Sequence, residues 1–246
     1  MKKIAVYTCV TGSYDDLPIL RHVLPSADYF CFNDGSVNIP SGWTDVRIEN
    51  NSPGNKTARY YKIVPHLNPL LEKYEMSVWV DGNIEIVGDI SILMEKVYSS
   101  EGDVFIYNHP LRNCVYDEVD ACFLDVKISL KKLITSRHLL RRSGIKKNGG
   151  LFETGVMIRK HNNRMKKLMD CWWAKFVEDS SGRDQISLVR AIEESKVKVV
   201  SLGSPDHRLK NEFFKHNGNH KKSGIKEKVI WKCMRLLNIF LIKLSW

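Results

Sequence analysis

Apolar residues recur along this chain with two alternating periods. Short runs rich in Val, Ile, Tyr and Phe occur at residues 4–10, 28–32, 78–80, 103–107, 151–158 and 197–202. Runs of this kind, bounded by Gly, Asn and Asp, predict strands buried on both faces. Residues 43–48 predict a further strand, and 84–87 a β-prone run just after Gly82. Between the strands the period becomes helical. Ile90, Leu93, Met94 and Val97 mark one face over 89–98, and Leu168, Met169, Trp172 and Phe176 another over 162–178. Residues 57–64 predict a helix stopped by Pro65 and Pro69. Residues 116–133 predict a helix or helix pair, and 186–194 continue a helix that starts at Asp184. Strands alternating with helices predict an α/β fold with a mostly parallel sheet.

The last forty residues break the pattern. Residues 206–224 are polar and rich in His, Asn and Lys, which reads as a linker. Residues 225–246 are apolar but carry Lys226, Lys228, Lys232, Arg235 and Lys243. Basic side chains near the centre of a spanning helix cost roughly 2.5–3.5 kcal/mol each. An amphipathic helix lying in the plane of a membrane interface is therefore expected, with a helix packed on the domain as the other reading.

Composition narrows the partners. The chain has 246 residues, ample for one core with a tail, and a net charge of +10. That charge favours anionic partners such as nucleotides and lipid headgroups. From 127 to 147 there are eight Lys and Arg and no Asp or Glu. The six cysteines contain no C-x-x-C pair, which argues against a zinc ribbon or a thioredoxin-type site. The chain enters its first strand directly, with no h-region or cleavage site, so an intracellular protein with reduced thiols is expected.

The candidate chemistry centres on Trp79-Val80-Asp81-Gly82-Asn83. A buried strand that ends on an acid and turns at glycine holds a carboxylate at the mouth of a sheet, where α/β folds bind ligands. Asp81 and Asn83 offer hard oxygen ligands suited to Mg²⁺ or Mn²⁺. Lys56, Arg59 and Lys62 share a helical face and could counter phosphate charge. Asp184 and Gln185 present an acid and an amide from a helix start, placed to act on a sugar. Of the late histidines His207, His216 and His220, His216 is the preferred extra metal ligand.

In order along the chain stand Tyr7-Thr8 to Gly12-Ser13-Tyr14-Asp15, Cys31-Phe32-Asn33-Asp34, Lys56-x-x-Arg59-Tyr60-x-Lys62 and Trp79-x-Asp81-Gly82-Asn83. They are followed by His109-Pro110-x-Arg112-x-Cys114-x-Tyr116-x-Glu118, Gly150-Leu151-Phe152-Glu153-Thr154-Gly155-Val156 and Arg183-Asp184-Gln185-Ile186-Ser187. This series resembles a glycosyltransferase-like domain family that includes plant mucilage and turgor-regulation proteins and has bacterial members. More distantly it is similar to family-eight glycosyltransferases of the GT-A fold. The resemblance implies a GT-A-like catalytic domain over 1–205, followed by a basic linker and amphipathic helix over 206–246. It implies transfer of a sugar from a nucleoside-diphosphate sugar, with UDP preferred, to a hydroxyl of a glycan or lipid-linked acceptor in bacterial surface-polysaccharide synthesis. By carry-over, Thr8, Gly12, Tyr14 and Asp34 surround the base and ribose. Lys56, Arg59 and Lys62 meet ribose or diphosphate, and His109 and Arg112 line the same cleft. Asp81 and Asn83 correspond to the Asp-x-Asp motif for a divalent metal, Mn²⁺ or Mg²⁺, although Asn83 replaces the usual second acid, and His216 joins them only as the imidazole preferred above. Glu153, Asp184 and Gln185 lie near the transferred sugar. The protein is then expected in the cytoplasm, at the inner face of a membrane through residues 225–246, with no nucleic acid bound. The competing readings are a basic, non-catalytic nucleic-acid-binding protein and a sugar nucleotidyltransferase. No nucleic-acid-binding motif supports the first, and no glycine-rich triphosphate loop the second.

Overall fold

The computed structural model describes residues 3–49, 56–179, 181–206, 209–217 and 225–244, with side chains in the last segment described over 232–242. Among these residues the strands are β1 (Ile4–Val10), β2 (Ala27–Asn33), β3 (Thr44–Arg47), β4 (Met76–Val80), β5 (Ile84–Ile86), β6 (Val104–Asn108), β7 (Phe152–Lys160), β8 (Val199–Ser201) and β9 (Phe214–His216). The helices are α1 (Lys56–Ile63), α2 (Ser91–Ser99), α3 (Val115–Leu124), α4 (Leu130–Arg142), α5 (Asn163–Asp179), α6 (Asp184–Ser195) and α7 (Ile225–Leu244).

One sheet runs in the order β3-β2-β1-β4-β7-β6-β8, and β5 pairs with β9 in a small second sheet. The large sheet is parallel except at β7, which runs antiparallel to both β4 and β6. This is the mixed, mostly parallel α/β sheet of a GT-A-like fold. The reversal has a consequence for the site. The start of β7 lies at the same edge as the ends of β1, β4 and β6, so Glu153 and Thr154 meet Asp81 there.

Alternation along each buried strand feeds two cores. On β1, Ile4, Val6 and Val10 face one side, with α2, β5 and β9. Ala5, Tyr7 and Cys9 face the other, with α5 and α6. A third cluster joins α3 and α4 to Ile186 of α6, and Leu241 and Ile242 of α7 pack against it.

Three sequence expectations shift. Of the helix or helix pair predicted over 116–133 the pair forms, α3 and α4, but α4 continues to Arg142 into the basic run. One base of that run, Arg137, turns inward onto Asp120 at 2.6 Å. The segment read as a linker supplies β9, and Phe213 and Phe214 are buried in the main core. Their apolar pair lies in a polar stretch too short to show a period. His207 and His220 lie outside the described residues.

Candidate active site

β4 is buried throughout, so it carries its end rigidly into the edge of the sheet. The Asp81 amide donates to the Gly155 carbonyl at 2.8 Å, and the Ile84 amide donates back to Asp81 O at 2.9 Å. This closes a four-residue turn over Gly82 and Asn83. A Cβ on Gly82 would lie 2.7 Å from Val10 Cγ2, so the turn packs against β1 only because that atom is missing. Trp79 lies two residues before Asp81 on the same face of the strand, and its indole Nε1 donates to Asp81 Oδ1 at 2.7 Å.

The basic face of α1 descends into the site from the solvent. Lys56 is exposed, Arg59 is partly buried, and Lys62 is enclosed. Lys62 Nζ lies 2.6 Å from Asp184 Oδ2 and 3.1 Å from Asp81 Oδ1, and donates to Thr154 Oγ1 at 3.2 Å. Arg59 Nη1 lies 3.5 Å from the same Asp184 oxygen, and the Thr154 hydroxyl donates to it at 3.0 Å. Lys62 was expected to meet a donor phosphate. Instead it is enclosed and ties the end of β4 to the start of α6, meeting Asp81, Asp184 and the Thr154 hydroxyl. Its backbone is held by Arg159, whose Nη1 donates to the Lys62 carbonyl at the end of α1 at 2.6 Å.

The three predicted catalytic residues form one group. Gln185 Nε2 donates to Glu153 Oε2 at 3.0 Å, and the Gly155 amide donates to Glu153 Oε1 at 3.1 Å. Asp184 and Gln185 open α6, and the Trp172 indole fixes that turn by donating to the Asp184 carbonyl at 3.0 Å. Their electrostatic settings are opposite. Burial, then the negative charge of Asp81, pushes the Glu153 carboxyl up to about 7 against the pull of Lys62. Burial also opposes ionisation of Asp184. Arg59, Lys62 and Arg183 outweigh it and hold that carboxyl well below the usual carboxylate range.

Two of the predicted metal ligands, Asn83 and His216, are neighbours. Pairing of β5 with β9 sets Ile84 opposite His216, and Asn83 Nδ2 lies 3.2 Å from His216 Nε2. Two cis ligands of an octahedral ion with bonds of roughly 2.1 Å stand about 3 Å apart, so this spacing suits one. Which amide atom faces the ring depends on the choice of flip, and the carbonyl oxygen can take that side. Asp81 Oδ2 accepts no hydrogen bond among the described residues, since Lys62 and the indole both use Oδ1. Among the described residues no three His, Cys, Asp or Glu side chains converge. One acid, one amide and one imidazole fit Mg²⁺ or Mn²⁺, which keep several waters or take phosphate oxygens.

The remaining predicted residues divide. Gly12 and Asp34 meet, the Gly12 amide donating to Asp34 Oδ2 at 2.9 Å, and Tyr14 stands exposed beside them in the loop after β1. Thr8 does not join them. It points with Val6 and Val10 into the sheet face, is fully enclosed, and its hydroxyl meets no partner among the described residues. His109 and Arg112 meet buried Glu118. Arg112 Nε donates to Glu118 Oε2 at 2.7 Å, and His109 Nε2 lies 3.7 Å from that oxygen. The amides of Leu111 and Arg112 donate to His109 Nδ1, leaving the proton on Nε2. Burial lowers the pKa of His109 against the attraction of Glu118. Both residues line a cavity of about 370 Å³ with Asn108, Asn113, Phe152 and Ser204.

Sequence reasoning missed Thr154 and Trp79 as site residues. A signal for Thr154 was present: three polar or glycine positions, Glu153-Thr154-Gly155, open an otherwise apolar strand. Trp79 gave none, because a Trp in a buried strand is ordinary core.

No curated protein matches the chain closely. A family model does, over residues 37–218. The match takes in Lys62, Asp81, Glu153, Asp184 and His216, and begins after Thr8, Gly12, Tyr14 and Asp34. It covers well over half of the protein, and the chain belongs to the TOD1/MUCI70 glycosyltransferase-like domain family.

Proposed function

We propose that this protein transfers a sugar from a nucleoside-diphosphate sugar, with UDP the favoured nucleotide, to a hydroxyl of a glycan or lipid-linked acceptor in surface-polysaccharide synthesis. One observation carries the reading. Two carboxyls in a single network, Glu153 and Asp184, are held at opposite ends of the protonation scale. Such a separation is what divides roles between acids in a site. Asp184 stays ionised and anchors Lys62 and Arg59. Glu153 is poised near neutrality to take a proton from the attacking hydroxyl.

In the proposed step the acceptor oxygen bonds to the anomeric carbon and its proton passes to Glu153. The bond from that carbon to the diphosphate breaks, and the electron pair leaves with the phosphate oxygen. Arg59, partly open to solvent at the head of α1, offers its charge to the departing diphosphate. Asp81, Asn83 and His216 would hold a divalent ion, which would offset diphosphate charge. Gly12 and Asp34, at the neighbouring strand ends, are placed for the nucleoside.

The test has two arms. Thermal-shift titration with UDP, GDP, ADP and CDP, with and without Mn²⁺, should show stabilisation by one diphosphate that grows with the metal. A ligand at about a hundred times its dissociation constant adds roughly 2.7 kcal/mol. With the sugar nucleotide so identified, Glu153→Gln should lower turnover by about 10²–10⁴-fold while leaving diphosphate affinity unchanged. Turnover equal to that of the unaltered protein would remove Glu153 from the reaction.

A further inference from the structure

Helix α7 is docked on one side and apolar on the other. Asn238 is buried and its Nδ2 donates to the Phe123 carbonyl in the last turn of α3 at 2.6 Å. Leu241 and Ile242 pack on the cluster shared by α3 and α4. These contacts set the inward side of the helix. On the opposite side Leu236, Leu237 and Phe240 are 69%, 57% and 61% exposed. With exposed Cys233 they follow the i, i+3, i+4, i+7 spacing of a single helical stripe. A helix packed on a domain normally turns its polar face outward, so this stripe is the reverse of the usual arrangement.

The border of the stripe is basic. Lys232 and Arg235 are both exposed along it. In α4, which shares the α3 cluster, Lys131, Arg141 and Arg142 are exposed, and no acid occurs from 127 to 147. We propose that this face of α7 docks on an anionic membrane surface. The helix lies in the interface plane, with Leu236, Leu237 and Phe240 below the headgroups and Lys232 and Arg235 among them. A second copy of the chain fits less well, because a two-fold contact through the stripe would bring two basic borders together. Among the described residues no helix is long and apolar enough to cross a membrane, which leaves the helix lying on its surface. The two sequence readings of the tail, packed helix and interfacial helix, describe opposite sides of one element. This inference stands apart from the proposed transfer reaction and needs none of its residues.

The experiment is flotation of the full chain with vesicles of phosphatidylcholine alone and with added phosphatidylglycerol. The unaltered protein should float with the anionic vesicles, less so as salt rises, and little with the neutral ones. The triple change Leu236→Ser, Leu237→Ser, Phe240→Ser should reduce partitioning by at least about tenfold. Lys232→Glu should weaken binding to anionic vesicles only. All four side chains are exposed, so thermal melts should match the unaltered protein, and Phe240→Ser alone provides the same comparison with a smaller change. Equal flotation of the triple variant would overturn the proposal. So would a concentration-dependent dimer that the triple change abolishes, with no flotation of either protein.

Discussion

The loops after β1 and β2 carry Gly12, Tyr14 and Asp34 toward solvent, whereas the polar residues at the β4–β7 end of the sheet edge face one another. Gly12, Tyr14 and Asp34 sit on loops joined by exposed hydrogen bonds, one from Gly12 to Asp34 and two between Ser13 and Ser36. Lys62, Asp81, Thr154 and Asp184 are locked by several contacts each, and Lys62 and Asp184 are enclosed. The first arrangement costs little stability to change and leaves a surface that can adapt to a ligand. The second confines charge where the dielectric is low, so burial and neighbouring charge raise the Glu153 carboxyl, and neighbouring charge outweighs burial to lower that of Asp184. The two ends of one sheet edge thus rest on different physics.

The largest effect should come from breaking the enclosed half. Lys62→Met leaves Asp184 with less compensating charge in the interior. Removing one partner of a buried pair costs roughly 3–5 kcal/mol, so urea unfolding should show a loss on that order. A change below about 1 kcal/mol would mean that Lys62 does not hold the two carboxylates together. The smallest effect should come from the open half. Asp34→Ala removes the acceptor for the Gly12 amide on an exposed loop, and should cost no more than about 1 kcal/mol of stability. Its effect should appear instead as weaker binding of the nucleoside diphosphate in calorimetry. Unchanged affinity would take Asp34 out of the nucleoside site.

The contrast also explains what was legible in the sequence. Most strands and helices were, because buried runs and amphipathic periods are local signals: β1 has the limits its apolar run predicts and α2 its apolar face, whereas β9 lies in a stretch that reads as a linker. Acids at element ends were legible too, as with Asp81 after β4 and Asp184 opening α6. Pairing was not. Nothing local shows that β7 runs antiparallel between β4 and β6, or that β9 pairs with β5, and those pairings bring Glu153 to Asp81 and His216 to Asn83. Burial of charge was equally hidden. Lys56, Arg59 and Lys62 look alike as a basic face, yet one is solvated and one enclosed. His109 and Arg112 lie close to Glu118 in sequence, but nothing local shows that Glu118 is buried and meets them both.

The separation of Glu153 from Asp184 is the centre of this account, and ¹³C NMR titration of the side-chain carboxyls tests it without a substrate. One glutamate resonance should titrate with a midpoint of about 7, and it should vanish in Glu153→Gln. The Asp184 resonance should show no titration in the usual carboxylate range, remaining ionised to more acidic pH. Stability should follow the same protons. The folded state holds the Glu153 proton more tightly than the unfolded chain does, so this group's contribution is lost as pH rises from its ordinary 4.5 to about 7. Glu153→Gln should lack that loss. Titration of every glutamate near 4.5, with an unaltered profile in Glu153→Gln, would contradict the account.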